Sequence, residues 1–352
     1  MWIEYGDASS EHEASFLILP ESRQDSPVAQ RIVDSTYLLS DSHAVVLDAY
    51  FATYYTKLRR WIVAYERFDC FFKHAAEATE LNSADTAIKI ENFFEGPDKT
   101  TLAKFWRHTI SLIIGALASA RVKNLVIGGL SHESNYVVSS GQIKIINVGR
   151  YTAPENSRDE HDVQGLRSFF WHHQFFKCST SAEWIGFDFL LSSQLLRRDP
   201  IEWESVVREH PILLEAIQQL ASYQEIHMFV WSKGEEFQWT FANALWTMTH
   251  RNYRWKTNVS EFFKGTKEQI QVFKNVYAPN LVKYHPYIHL AIIQFVRNLI
   301  RHANDYAKPA WEAETKVQNI KMLFDGFMSM AYSLRWVTDA DRDAKIPKNP
   351  FY

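Results

Sequence analysis

The sequence predicts an α+β chain, a mixed first part followed by an all-helical second part. Three observations predict it. Short apolar, β-branched runs bounded by turn residues gather before Asp162. Beyond Asp162 nearly every segment carries helical spacing. No repeat period runs along the chain, so a solenoid or propeller is excluded.

The elements follow in order. Residues 15–20, Ser-Phe-Leu-Ile-Leu-Pro, read as a short buried strand ended by Pro20. Pro27–Leu39 spaces Val28, Ile32, Val33 and Leu38 as a helix, with Pro27 suited to its first position. Ala44–Phe51 and Arg60–Tyr65 are apolar runs on either side of a polar loop and predict two strands. Lys104–Ala120 predicts a helix. Leu125–Ile127, Tyr136–Val138 and Ile143–Ile146 predict short strands around the turns Gly128-Gly129 and Ser140-Gly141. Helices are expected at 162–176, 183–196, 203–223, 233–249, 258–276, 286–306 and 312–335, with a domain boundary within Ser222–Ser232.

At 352 residues, 46% hydrophobic and 22% charged, the chain is globular and excludes a disordered or collagen-like polymer. Its longest nearly uncharged apolar runs, such as Ser111–Ala120, reach about half a membrane span, so no membrane insertion is expected. Met1-Trp-Ile-Glu-Tyr-Gly-Asp does not open like a secretion signal. Cys70 and Cys178 are too few for a disulfide scaffold or a cysteine zinc site, and both are expected to be buried thiols in a reducing, cytoplasmic or nuclear setting. The net charge of −3 hides an asymmetry: residues 227–352 hold 17 Lys+Arg against 11 Asp+Glu, leaving 21 against 30 before them. A basic final third points to an anionic partner for it.

Leu125–Arg150, with Ile127-Gly128-Gly129, Ser134-Asn135 and Asn147-Val148-Gly149, resembles the catalytic loop, hairpin and metal-binding turn of protein kinases. The resemblance puts Gly129 where the catalytic Asp stands and Asn147 where the Mg²⁺-binding Asp stands. Ala44–Phe51 and Trp61–Phe72 resemble the fourth strand and the fifth strand with hinge. Asp162-Val163 resembles the start of the large C-lobe helix, and Ala153-Pro154-Glu155 an activation-segment relic. No glycine-rich loop is present, Leu17–Pro20 offers no third-strand lysine, and 12 residues between Gly149 and Asp162 are too few for an activation segment. The resemblance implies a degenerate, phosphotransfer-dead kinase-like bilobal domain over residues 1–225, with the N-lobe to about 67 and the C-lobe 68–225.

Ile226–Trp231, Ile-His-Met-Phe-Val-Trp, resembles the junction that opens the kinase-extension nuclease (KEN) domain of Ire-type sensors and ribonuclease L. In Tyr284–Tyr306 the pair Arg297-Asn298, His302 five residues after Arg297 and Tyr284 thirteen before it fall at that family's offsets. Leu299-Ile300-Arg301 stands where the family carries Lys-Lys-His, which removes positive charge. The resemblance implies an all-α KEN ribonuclease domain over 226–336, a tail over 337–352, and catalytic Tyr284, Arg297, Asn298 and His302. The partners implied are RNA and a second copy of the chain, held through the kinase-like part.

The chemistry agrees with these residue types. An imidazole titrates near neutrality and suits the proton owed to the 5′-oxygen leaving group. An arginine offers a permanent, bidentate phosphate clamp. Asn298 and His302, four apart, share a helix face, with Arg297 and Arg301 as the adjacent row. Tyr284, near the start of the same helical segment, is expected to hold or help deprotonate the 2′-hydroxyl if the chain folds it back. No metal-ligand spacing appears, so cleavage is expected to need no cofactor and to leave a 2′,3′-cyclic phosphate; nucleotide binding by the kinase-like part stays open. Trp231, Trp239 and Trp246 are expected in the core, and His285 and His289 at the surface. The rival reading is a silent scaffold whose nuclease-like helices bind a partner or RNA without cleavage.

Overall fold

The computed structural model describes residues 13–19, 26–80, 90–95, 101–154, 157–178, 181–192, 196, 198–248, 267–277, 288–324 and 326–340. Over these the chain is α+β, with small antiparallel sheets and mostly helix. It divides into two compact units, residues 1–177 with 198–205, and residues 178–197 with 206–352. Residues 178–197 and 206–225, assigned from sequence to the first domain, thus belong to the second unit.

The first unit opens with β1 (Ala14–Ile18), α1 (Ser26–Ser40), β2 (Ala49–Tyr55) and β3 (Arg60–Glu66). They form an antiparallel sheet of order β1-β3-β2. The central place goes to β3 because Ile62–Tyr65 is buried throughout, as a middle strand requires. Ala29 and Ile32 of α1 pack into one core with Leu19, Leu47, Ala49, Val63 and Tyr65. The second strand lies later than the sequence suggested. Val45–Leu47 is buried but makes only a bridge from Val46 to Ile145. Pairing is taken up by Thr53, Tyr54 and Tyr55, β-branched and aromatic residues that fit a pleated surface and were read as polar loop.

The rest of this unit is β4 (Cys70–Phe71), α2 (Phe72–Glu80), β5 (Phe94–Glu95), β6 (Thr101–Leu102), α3 (Lys104–Val122), β7 (Tyr136–Ser139), β8 (Gln142–Ile145) and α4 (Arg158–His172). Strands β4, β7 and β8 pair in that order, and β5 pairs β6. Helix α2 was not expected from sequence, and Leu125–Ile127 forms no strand. Helix α4 starts and stops four residues earlier than expected, leaving Phe175 and Phe176 beyond its end. Those two rings join Phe72, Phe93, Trp106, Tyr136, Phe169 and Phe170 in an aromatic core, where Tyr136 and Phe169 stack at 4.2 Å. This cluster accounts for much of the aromatic excess and holds α2, α3, β7 and α4 together.

The second unit contains α5 (Ala182–Leu191), α7 (Ala216–Trp231), α8 (Glu235–Met248), α9 (Lys267–Tyr277), α10 (Ile288–Tyr306), α11 (Ala313–Leu323) and α12 (Phe327–Ala340). Helix α6 (Pro200–Arg208) passes from the first unit to the second after Ser205. The helix expected over 203–223 is interrupted at His210-Pro211. A 3₁₀ turn follows there, with the His210 ring accepting from the amide of Ile212. The helix expected over 312–335 is two helices. Gly326 turns the chain at φ +66, with Ala182 so near that a Cβ would stand 2.5 Å from its backbone. Helix α12 then lies along α5. Gly186 admits the backbone of Ser329 and Met330, Ser329 donates to the Glu183 carbonyl at 2.9 Å, and Ser333 donates to the Gly186 carbonyl at 2.7 Å. Lys321 and Glu183 make a buried ion pair at 3.3 Å in the same region. Helix α7 runs unbroken through the boundary expected at 222–232. Among the described residues no helix is long and apolar enough to cross a membrane.

Candidate functional site

Helix α10 carries three of the four residues singled out by sequence. Leu290, Ile292, Ile293, Phe295, Val296, Leu299 and Ile300 are buried, so most of its length is wrapped by apolar packing. Polar groups emerge at its C-terminal end, Arg301, His302, Asn304 and Asp305 being exposed. That end is fixed from outside: Lys316 of α11 donates to the Ile300 carbonyl, and Asn304 accepts from the Trp311 amide.

Three of the residues singled out by sequence are held on α10 as follows. The His302 ring meets Asp305 one turn on, Nδ1 to Oδ2 at 3.0 Å, with both side chains about half exposed. A carboxylate can only accept, so Nδ1 donates to Asp305, which leaves Nε2 as the ring's second nitrogen. Asn298 is buried, and its Oδ1 accepts from Arg297 Nη1 at 2.8 Å. At 100° per residue, Arg297 and His302 point about 140° apart on the helix. The bond to Asn298 folds the guanidinium back toward the row that carries His302. Asn298 thus holds the Arg297 guanidinium. Tyr284 and His285 lie outside the described residues.

His227 was not foreseen as a neighbour of these residues, and Trp231, expected in the core, is only partly buried. His227 and Trp231, four apart on α7, stack with ring centroids 4.2 Å apart and planes inclined by 13°. Helix α7 packs on α10, and burial, then the charges of Arg297 and Arg301, push His227 down to about 4. His227 is thus a neutral imidazole near pH 7, beside two guanidinium groups. Its i, i+4 spacing to Trp231 was the available signal; it was read only as part of a junction.

Other expectations are corrected. His289 is buried between the rings of Trp246 and Phe327, and burial pushes it down to about 4. Trp239 and Trp246 are half exposed, 52% and 49%, because they lie on the outer stripe of α8. Cys178 is buried, as expected, but Cys70 is partly exposed on the edge of a short strand.

In the first unit, the loop 127–135 is gathered by Asp162 of α4, whose carboxylate accepts from the amides of Ile127 and Gly128, both at 2.7 Å. The positions of interest then bond to one another. Asn147 Nδ2 donates to Asn135 Oδ1 at 2.9 Å, Asn135 Nδ2 donates to the Gly129 carbonyl at 2.8 Å, and the Asn147 amide donates to the Tyr65 hydroxyl at 3.1 Å. All three side chains are buried, and burial raises the Tyr65 hydroxyl well above its ordinary value. Gly129 has φ +66, and a Cβ there would stand 2.6 Å from the Tyr151 ring and nearer still to Asn135. Arg31 of α1 donates to the carbonyls of Gly149 (2.6 Å) and Arg150 (3.1 Å), tying that helix to the turn. Among the described residues no group of three or more His, Cys, Asp or Glu could hold a metal ion. No protein-family model matches the chain, and no curated protein matches it.

Proposed function

We propose that the chain is a metal-independent endoribonuclease of the KEN type, which cleaves RNA to a 2′,3′-cyclic phosphate, on a kinase-like part that has lost phosphotransfer. The observation that carries this is the C-terminal end of α10: a half-exposed His302 oriented by Asp305, with Arg297 folded toward it by Asn298. In this reading the 2′-oxygen attacks phosphorus, the bond to the 5′-oxygen breaks, and protonated His302 delivers a proton from Nε2 to that oxygen. Arg297 holds the phosphate oxygens as charge builds on them. Tyr284 takes the 2′-hydroxyl by resemblance alone. The test is a labelled hairpin RNA incubated with purified chain in EDTA; cyclic-phosphate-ended fragments are expected. One observation favours the silent-scaffold alternative: Leu299 and Ile300, in place of the family's lysines, are buried and add no charge beside His302. Intact RNA at every protein concentration gives that alternative the field. By resemblance the kinase-like part serves as a dimerisation scaffold, so cleavage per chain should rise as sedimentation shows monomer becoming dimer.

Support for a degenerate kinase fold in the first unit comes from the middle place of the strand read as the fifth, and from Asp162 clasping the loop read as catalytic. The mutual bonding of Asn135, Asn147 and Tyr65 occupies the groups that would otherwise face Mg²⁺ and nucleotide phosphates. ADP, with or without Mg²⁺, is therefore expected to leave Tm unchanged, and Asn147→Asp to lower it by setting a carboxylate against the Asn135 carbonyl oxygen. A Mg²⁺-dependent rise in Tm with ADP, or autophosphorylation abolished by Asn147→Ala, would overturn this.

A further inference from the structure

The sheet of β1, β3 and β2 is apolar on both faces, whereas an antiparallel sheet with one face in water alternates apolar and polar residues. Residues directly opposite one another across its strands share a face. One face, with Leu17, Val63 and Ala52 in register, turns to the core that α1 covers. The other carries two rows: Phe16, Ala64 and Phe51, then Ile18, Ile62 and Thr53. Ala64 and Ile62 are buried in the trough of the middle strand, but Ile18 and Phe51 stand 44% and 41% exposed, and Thr53 is exposed beside them. No charged residue interrupts the two rows. Charge is sorted to the ends of this face instead. At one end Glu66 follows Ala64 by two residues, on the same face, and its amide donates to the carbonyl of Asp48 opposite it. At the other end Arg60 precedes Ile62 by two residues, and the turn 56–59 adds Lys57 and Arg59. All five of these charged residues are exposed, and none makes an ion pair among the described residues. The neighbouring Arg67, by contrast, is paired with Glu13. An apolar face with one acidic end and one basic end is complementary to itself once turned end for end.

We infer that two copies of the chain meet through this face, sheet against sheet, with β3 of one copy antiparallel to β3 of the other. A two-fold axis between the sheets, at right angles to the strands, gives this arrangement and makes every contact twice. It lays the Glu66 and Asp48 end of one copy over the Arg60 end of its partner, and it closes the two apolar rows away from water. Packed sheets keep their strand directions within about 30°, so the charged ends stay opposed. The parallel alternative sets Glu66 against Glu66 and Arg60 against Arg60. Three strands and four rows span roughly 15 by 20 Å, which falls short of the roughly 800 Å² per partner of a standard complex. The dimer is therefore a reversible one, set by concentration. The inference deepens the dimerisation proposed above by naming its surface, and it draws nothing from the nuclease chemistry.

The test is sedimentation velocity of the full chain over a concentration series. The parent is expected to pass from monomer to dimer. Phe51→Asp sets a carboxylate in the middle of the apolar rows and should weaken dimerisation by about tenfold or more. Glu66→Lys and Arg60→Glu each turn two attractive contacts into repulsive ones and should weaken it by about tenfold as well. The decisive arm mixes these last two variants. Each fails with itself, but in the mixed pair every opposed end again carries unlike charge, so the mixture should dimerise nearly as well as the parent. Both changes in one chain should recover in the same way. If Phe51→Asp does not fold, the two exposed charge reversals and their mixture carry the test. Dimerisation untouched by Phe51→Asp or by either reversal, no recovery on mixing, or a parent that stays monomeric at every concentration each overturn the surface. A dimer indifferent to all these changes leaves dimerisation standing and this surface refuted. Recovery on mixing without RNA cleavage in EDTA leaves the surface standing and the nuclease reading refuted.

Discussion

Replacing His302 by alanine is expected to slow RNA cleavage by about 10²–10⁴-fold, the span for loss of one acid–base group, and to leave RNA binding nearly unchanged. The separation follows from when the group acts. The proton moves to the 5′-oxygen only as the bond to phosphorus breaks, so its loss is felt in the transition state and hardly in the ground state. Arg297→Ala should damage binding and rate together, since a clamp on phosphate acts in both states. Asp305→Asn should give an intermediate loss, because the ring keeps a hydrogen-bond partner but loses its carboxylate. Single-turnover rates beside anisotropy titrations measure both quantities. Cleavage by His302→Ala at the parent rate would end the nuclease reading.

The second large effect concerns stability. Lys321 and Glu183 are each at least 94% buried and lie 3.3 Å apart. Lys321→Met should destabilise the chain by about 3–5 kcal/mol, because it strands a carboxylate in a dry interior. That is a large share of the roughly 5–15 kcal/mol that holds a typical domain together. The double variant Lys321→Met with Glu183→Leu should recover most of the loss, since well-packed apolar replacements of a buried pair are often neutral or better. Urea unfolding measures both. A single variant within about 0.5 kcal/mol of the parent, the range of an ordinary surface change, would show that water reaches the pair.

What could be read from the sequence, and what could not, divides by the range of the interactions. Strands β1 and β3, helices α1 and α3 and the β7–β8 hairpin were legible because alternation, helical spacing and the Ser140-Gly141 turn are local signals. The break at Gly326 was not, because Phe324, Phe327 and Met328 carry the apolar spacing across it; its cause is the approach of Ala182, about 140 residues away. The second strand was misplaced because Val45–Leu47 is buried by contacts beyond its own sheet. Likewise the spacing of Arg297, Asn298 and His302 was visible on one helix. Neither the burial of Asn298 nor the approach of His227 from α7 leaves a mark in the local sequence.

The seating of α5 against α12 has a consequence in time. Glu183 and Gly186 bond to Ser329 and Ser333, some 146 and 147 positions later. At ribosomal rates of roughly 5–20 residues per second, α5 emerges about 7–30 s before its partner is made. Through that interval Trp184, Phe187, Leu190 and Leu191, all buried in the finished chain, have no α12 to cover them. A nascent chain of this protein therefore presents a sticky helix to the crowded space around the ribosome, and its yield in a cell should depend on chaperones that shield such a segment until synthesis is complete.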